Sequence, residues 1–351
     1  MALMTIAIPT YNRAPLLDYC LLQISRQMEG IIDKIELIVS DNYSSDETPA
    51  VVERYHREGM KLRYIRNSEN VGADRNIAQC FKEASSRFVL IMGDDDFFLP
   101  GAIRKLLSVI EREPDAGIIH IKGAPYNDQF EITGRLHRSD DYYVYHNRRA
   151  FIHNINFWFT FISGNVFNKD LVKEKIDPYR FTNTNLVQLS WMLPLAVRAM
   201  YNITVREELI AVGKVENTGG YKIFEVFGAN FNKVMTACIV DGFEQAYIDT
   251  INRYLLCRFF PGFVVASKKS RIKNLADNDA YKGLYGQFKG YWEFWTFLFP
   301  IFLLKPRFCG MGAVGAVLYG KWISLRSRIV FRVRLREGSI VRKAMMCSDN
   351  D

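Results

Sequence analysis

The chain has 351 residues, 49% hydrophobic and 24% charged, with a formal net charge of +8. It is too apolar for a disordered polymer and long enough to bury one large core or two smaller ones. Six cysteines (Cys20, Cys80, Cys238, Cys257, Cys309, Cys347) show no CxxC and no paired spacing, and the five histidines have no zinc-ligand spacing, which argues against a disulfide scaffold or a zinc module.

Free thiols in a reducing cytoplasm are therefore expected, and the N-terminus, entering a strand directly, reads as lacking a signal peptide. Leu3–Ile8 is a compact apolar run ending at Pro9-Thr-Tyr-Asn-Arg13. Leu17, Leu21, Ile24 and Met28 then recur at helical spacing. Ile35–Val39 is the second strand, followed by helix from Glu47 to Glu58. Leu62–Ile65 is a shorter third strand, with helix from Ala73 to Ser86. The strand at Phe88, the helix Leu99–Glu113 and the strand Gly117–Ile121 complete the series. Units of about thirty residues with βα alternation predict a mainly parallel sheet covered by helices on both faces.

In the stretch Phe88-Val-Leu-Ile-Met-Gly-Asp-Asp-Asp-Phe-Phe-Leu-Pro100, an apolar strand stops at a glycine and three consecutive carboxylates follow. Asp94, Asp95 and Asp96 repel one another, and a turn requires only one of them. Hard oxygen ligands on a short loop suit Mg²⁺ or Mn²⁺, which take one or two carboxylates plus substrate phosphates. The competing reading is a solvated acidic turn with Asp96 at a helix N-terminus. The other strand ends are polar too, with Thr10, Asn12 and Arg13 at the first, Asp41 and Asn42 at the second, and Asn70 to Asn76 past the third. Ligands of open α/β sheets bind beyond the carboxyl ends of the strands, so four such loops predict a site there. Ser44, Ser45 or Asp46 suffices to cap the helix from Glu47, which leaves Asp41 free for a nucleobase or ribose. Neither GxGxxG after the first strand nor GxxxxGK[ST] occurs, so dinucleotide and P-loop readings lack their motif.

Over residues 3 to 122 the chain resembles the family 2 glycosyltransferases of GT-A fold. The resemblance rests on Ile8-Pro-Thr-Tyr-Asn-Arg13, Val39-Ser-Asp-Asn-Tyr-Ser-Ser-Asp-Glu-Thr48, Asn70-Val-Gly-Ala-Asp-Arg-Asn76 and Met92-Gly-Asp-Asp-Asp-Phe-Phe-Leu-Pro100. It implies transfer of a sugar from a nucleotide-sugar donor. Pro9, Thr10, Tyr11 and Arg13 would line the nucleotide, Asp41 would contact the base, and Asp74, Arg75 and Asn76 would sit near the ribose and diphosphate. Asp96 and Asp94 would hold Mn²⁺ or Mg²⁺, with Asp95 facing the donor sugar. The family often has a carboxylate where Gly93 stands, so the register of that motif is altered here.

The implied catalytic domain is 1–215, a nucleotide-binding half (1–122) and an acceptor half (123–215). Residues 123 to 150 read as a loop crossing the acceptor side, and Ser163-Gly-Asn-Val-Phe167 as the family's strand beneath the site. The aromatics around Trp158 read as core. The segment Tyr179–Trp191, where the family places an acidic pair that includes its general base, offers Asn183, Asn185 and Gln188, and amides take no proton at neutral pH. The base would then lie elsewhere (Asp128, Asp140, Asp141 or Asp177, with Asp141 preferred), or the stereochemical course differs, or the protein is inactive.

Residues 216–351 read as a helical, aromatic and basic extension. Phe224–Tyr247 and Ile248–Phe260 are the expected helices, followed by the basic run Lys268–Lys273 and two apolar runs, Tyr291–Leu304 and Phe308–Tyr319, each shorter than the ~20 residues that span a bilayer. Lys321 to Lys343 holds eight basic residues against Glu337. Aromatic runs beside such a tail predict peripheral contact with an anionic membrane, at the cytoplasmic face of a bacterial plasma membrane, rather than nucleic-acid binding. The alternative is a buried hairpin on the catalytic domain. The expected acceptor is lipid-linked or an oligosaccharide. Rival readings are a sugar nucleotidyltransferase and a non-catalytic glycan-binding module.

Overall fold

Successive residues of the strand Met4–Thr10 (β1) enter different cores, Ile6 and Ile8 one and Ala7 the other. That alternation holds the architecture together, because a sheet buried on both faces needs apolar residues at every position. The computed structural model describes residues 2–213, 222–268, 280–305, 308, 313–316, 318–321 and 334–335. The sheet also contains Ile35–Asp41 (β2), Arg63–Arg66 (β3), Phe88–Ile91 (β4), Phe97–Phe98 (β5), Ile118–Pro125 (β6), Tyr142–Tyr145 (β7), Asn165–Asn168 (β8), Asn202–Val212 (β9) and Arg334–Leu335 (β10). Its order is β10-β7-β9-β6-β8-β4-β1-β2-β3, with β5 pairing β9.

Four helices follow the early strands: Ala14–Ser25 (α1), Thr48–Arg57 (α2), Ala73–Glu83 (α3) and Ala102–Arg112 (α4). Leu17 and Leu21 of α1, Val52 of α2 and Leu106 of α4 fill one core with Ile6 and Ile8. Phe81 of α3 fills the other, with Phe151 of Arg148–Ile155 (α5) and Trp191 of Leu189–Arg198 (α6). Asp46 fixes the start of two helices, one carboxylate oxygen accepting from the Ala14 N–H (2.9 Å) and the other from the Thr48 N–H (3.1 Å).

The βα series up to residue 122 forms as the periodicity predicts, with β1, β2, β3, β4, β6 and β9 sharing one direction. The acceptor half departs from it. β8 runs antiparallel between β4 and β6, and β7 runs antiparallel to β9. Residues 123 to 150 are not one loop: β6 continues to Pro125, Tyr126 bridges Ile132, and β7 and the start of α5 follow. Tyr142 and Val144 are buried there, so the segment reads as polar only when its alternation is ignored.

The C-terminal region packs on the sheet. Phe224, Phe260, Phe294 and Ile301 are fully or almost fully buried in the same core as Ala7 and Val89. Among the described residues no helix is long and apolar enough to cross a membrane. Among the described residues three of its turns are π-helical: Glu225–Asn230, Leu255–Phe259 and Phe294–Leu298. Most of the predicted basic tail, and the run after Lys268, lie outside the described residues. Cys20, Cys80, Cys238 and Cys257 are free and buried.

Candidate active site

Strand register builds the site. Thr10 is opposite Asp41 in the β1–β2 ladder, and the Met92 N–H donates to the Ala7 carbonyl at 2.9 Å, so the residues after β4 emerge beside the end of β1. There the Thr10 hydroxyl donates to Asp94 Oδ2 (2.7 Å), and Arg13 Nη1 donates to Asp94 Oδ1 (3.0 Å) and Asp95 Oδ2 (3.2 Å). On the opposite side the Gly213 N–H donates to Asp96 Oδ1 (3.1 Å). Ser163 joins the two loops, accepting from the Gly93 N–H (2.9 Å) while its hydroxyl donates to Asp96. The Tyr126 hydroxyl donates to the Asp95 carbonyl (2.6 Å).

The three carboxylates differ in exposure. Asp94 and Asp96 are each 4% exposed, whereas the Asp95 side chain is 39% exposed. Burial, only partly offset by Arg13, pushes the Asp94 carboxyl up to about 6. Burial and then the charge of Asp95 push Asp96 up to about 7. Two carboxyls that give up protons reluctantly, beside a third at the surface, form a corner where added positive charge is favourable.

Gly93 shows where that charge could sit. A Cβ on Gly93 would lie 2.8 Å from Asp95 Oδ1, 3.5 Å from Asp96 Oδ2 and 3.6 Å from Ser163 Oγ. The missing side chain leaves a hollow with two carboxylate oxygens and a hydroxyl on its rim, a hard-oxygen set suited to Mg²⁺ or Mn²⁺. Among the described residues no three His, Cys, Asp or Glu side chains are arranged to hold a metal, so remaining ligands would come from substrate and water. The geometry places Asp95, with Asp96, at this hollow; Asp94, expected as a metal ligand, has both oxygens occupied by Thr10 and Arg13.

Other predicted residues divide into exposed and committed groups. Tyr11, Arg13 and Arg75 are exposed at the same edge, Pro9 is half-buried, and Thr10 is buried beneath Asp94. Asp41 has no exposed surface: it accepts from the Ser44 N–H (2.8 Å) and the Tyr64 hydroxyl (2.6 Å), with Arg66 Nε 3.6 Å away. A base contact through its carboxylate would have to displace one of these partners. Asn76 and Ser40 bond each other side chain to side chain and side chain to backbone, a link between α3 and β2 rather than an open ligand contact.

Asp74 Oδ2 accepts from the Thr184 and Asn185 N–H groups, each at 2.9 Å. Asn183 and Asn185 both have positive φ (66° and 59°), which Asn tolerates better than most residues. The segment without a carboxylate thus forms a tight loop clasped by Oδ2 of Asp74, the residue expected near the ribose and diphosphate. Asp141 is not at the site. It precedes β7, whose Tyr142 is opposite Val205 on β9, whereas Phe97, next to the carboxylates, is opposite Ala211 on the same strand, on the order of 20 Å further along; Arg206 Nη1 pairs with Asp141 at 2.8 Å.

Sequence reasoning missed Ser163, Tyr126 and Gly213 as supports of the carboxylate corner; only Ser163 stood in a motif. It also missed a cavity of about 960 Å³ that adjoins the corner at Phe161, Val212 and Gly213 and is walled by Trp158, Tyr254 and Arg258 among others.

A mixed, mainly parallel sheet with its polar loops on one edge and a carboxylate corner after the fourth strand defines a nucleotide-sugar transferase fold of GT-A type. Residues 5–174, a little under half of the chain, match the family described as Glycosyl transferase family 2.

A GalNAc(5)-diNAcBac-PP-undecaprenol beta-1,3-glucosyltransferase of Campylobacter jejuni is 32% identical over 137 residues, 39% of this chain and 41% of the relative. The abequosyltransferase RfbV of Salmonella typhimurium is 31% identical over 151 residues, 41% of this chain and 44% of the relative. The chain therefore aligns with less than half the length of each. Among solved structures, Staphylococcus aureus TarS 1–349 in complex with UDP-GlcNAc has a TM-score of 0.56 at 14% identity, covering 93% of this chain and 92% of that one. The mannosyltransferase PcManGT of Pyrobaculum calidifontis, in complex with GDP-Man and Mn²⁺, has a TM-score of 0.52 at 15% identity, covering 92% and 87%. At such identities these two structures attest to the fold.

Proposed function

We propose that the protein transfers a sugar from a nucleotide-sugar donor to a lipid-linked or surface-glycan acceptor, working at the cytoplasmic face of a bacterial plasma membrane. The observation that carries this reading is the carboxylate corner over Gly93, in the crevice where β1, β2 and β4 end. The relatives and structural neighbours that handle lipid-linked glycans and nucleotide sugars support it.

The exposed Tyr11, Arg13 and Arg75 give the donor polar and aromatic contacts, and Arg13 also aligns Asp94 and Asp95. Asp95 and Asp96 would hold a divalent cation, whose positive charge stabilises the diphosphate as the sugar–phosphate bond breaks. Thr10, Ser163 and Gly213 fix the carboxylates beforehand, so little reorganisation is needed when charge develops. The adjoining cavity receives the acceptor. Trp292, Trp295 and Leu303, 49%, 42% and 72% exposed, support peripheral contact with the membrane interface.

Product analysis tests the reaction class. Incubation with a panel of nucleotide sugars is expected to release nucleoside mono- or diphosphate with transfer or hydrolysis of the sugar. Release of pyrophosphate from a nucleoside triphosphate and a sugar phosphate would make the protein a nucleotidyltransferase instead. Donor binding without turnover across the panel would make it a binding module.

A further inference from the structure

The acceptor cavity has two walls of different origin. His120, Lys122 and Thr204 come from the sheet, whereas Tyr254, Arg258 and Lys321 come from the C-terminal region. Its lining is rich in positive charge. Lys122, Arg206, Arg258 and Lys321 stand against one carboxylate, Glu208. Arg206 is neutralised by Asp141 at 2.8 Å. Among the described residues Arg258 has no acidic partner and stands over the Tyr254 ring, whose centroid lies 5.7 Å from the guanidinium carbon.

The fold holds Arg258 in that state. It sits on the π-helical turn Leu255–Phe259, a rare conformation that recurs at functional positions. Its stem lies against Gly320, where an added Cβ would come within 2.4 Å of Arg258 Cδ, so glycine there lets the two segments close on the side chain. On the sheet side, the β6–β9 ladder shifts register on both sides of Lys122, a bulge that re-aims a side chain. A half-buried guanidinium with no acidic partner among the described residues loses hydration without compensation there, and its planar fork matches the oxygens of a phosphate.

We propose that Arg258, with Lys122 on the sheet side, binds the phosphate of a phosphate- or diphosphate-bearing acceptor, so that the C-terminal region completes the acceptor site. Calling the ligand an acceptor rests on the sugar-transfer reading above; the anion site itself stands on the cavity.

Calorimetric titration with chelator present, so that no metal recruits phosphate to the aspartates, tests the site directly. The probes are farnesyl diphosphate, inorganic pyrophosphate and farnesol, against wild type, Arg258→Gln and Arg258→Lys, with thermal midpoints recorded to confirm folding. The expected result is binding of farnesyl diphosphate to wild type, at least about tenfold weaker in Arg258→Gln and intermediate in Arg258→Lys, with no binding of farnesol. Pyrophosphate binding as tightly as farnesyl diphosphate identifies the phosphate alone as the ligand; tighter binding of the farnesyl compound adds the lipid. Equal affinity in wild type and Arg258→Gln, or no binding to wild type, overturns the proposal. If wild type hydrolyses no nucleotide sugar but shows Arg258-dependent diphosphate binding, the sugar-transfer reading fails and the anion site stands.

Discussion

A carboxyl group buried beside two others keeps its proton longer, and Asp96 is the clearest case here. Its folded value of about 7 lies above the ordinary carboxylate range, through burial first and the charge of Asp95 second. A raised folded value contributes stability that is fully present below the unfolded value near 4 and is lost as pH rises through about 7. The metal-free protein is therefore expected to lose unfolding midpoint between pH 5 and pH 8. Asp96→Asn, which cannot ionise, is expected to flatten that decline. Parallel pH profiles for the two proteins in chelator would show that Asp96 ionises normally. The residue scale also explains Gly93: a side chain there would fill the hollow bounded by Asp95 and Asp96.

At the scale of elements, the clasp between α3 and the loop before α6 answers a question the sequence could only pose. The segment expected to carry an acidic pair reads Asn183-Thr-Asn185, and the Thr184 and Asn185 N–H groups donate to Asp74. Asp74→Ala would remove the acceptor of two part-buried N–H groups, at about 0.5–1.5 kcal/mol each, so unfolding in urea is expected to show a loss of about 1–3 kcal/mol. Asp74→Asn, which keeps an acceptor oxygen, is expected to lose less. A loss no larger than that of the exposed-carboxylate change Asp33→Ala would contradict the clasp. The legible elements were those with strict βα alternation: β1 to β4 and their helices were predicted because period-2 and period-3.6 patterns are local properties. β7 was not, since a four-residue strand carries little periodicity; β8 was expected as a strand only from the resemblance, and its antiparallel direction is decided by pairing. The site followed the same division. Thr10, Arg13 and Asp94 to Asp96 announced themselves at strand ends, whereas Gly213 and Arg258 reach their places through tertiary packing alone.

Across the whole molecule, the C-terminal region shares a core with the catalytic sheet, as the buried Phe294, Leu298 and Ile301 show. Phe294→Ala is expected to cost about 3–5 kcal/mol and to lower the midpoint of a single cooperative transition. Two separate transitions, with the first alone sensitive to this change, would make the C-terminal region an independent unit. The aromatic side chains it leaves exposed and the wall it lends to the cavity through Tyr254 and Arg258 then belong to one arrangement.

The account depends most on a cation held at the carboxylate corner. The most direct measurement is steady-state nucleotide-sugar turnover with Mn²⁺ and with chelator, for wild type, Asp95→Asn and Asp96→Ala. The account predicts that chelator abolishes turnover and that each substitution lowers it by ~10²–10³-fold with the thermal midpoint largely kept. Undiminished turnover in chelator or in both variants would contradict it.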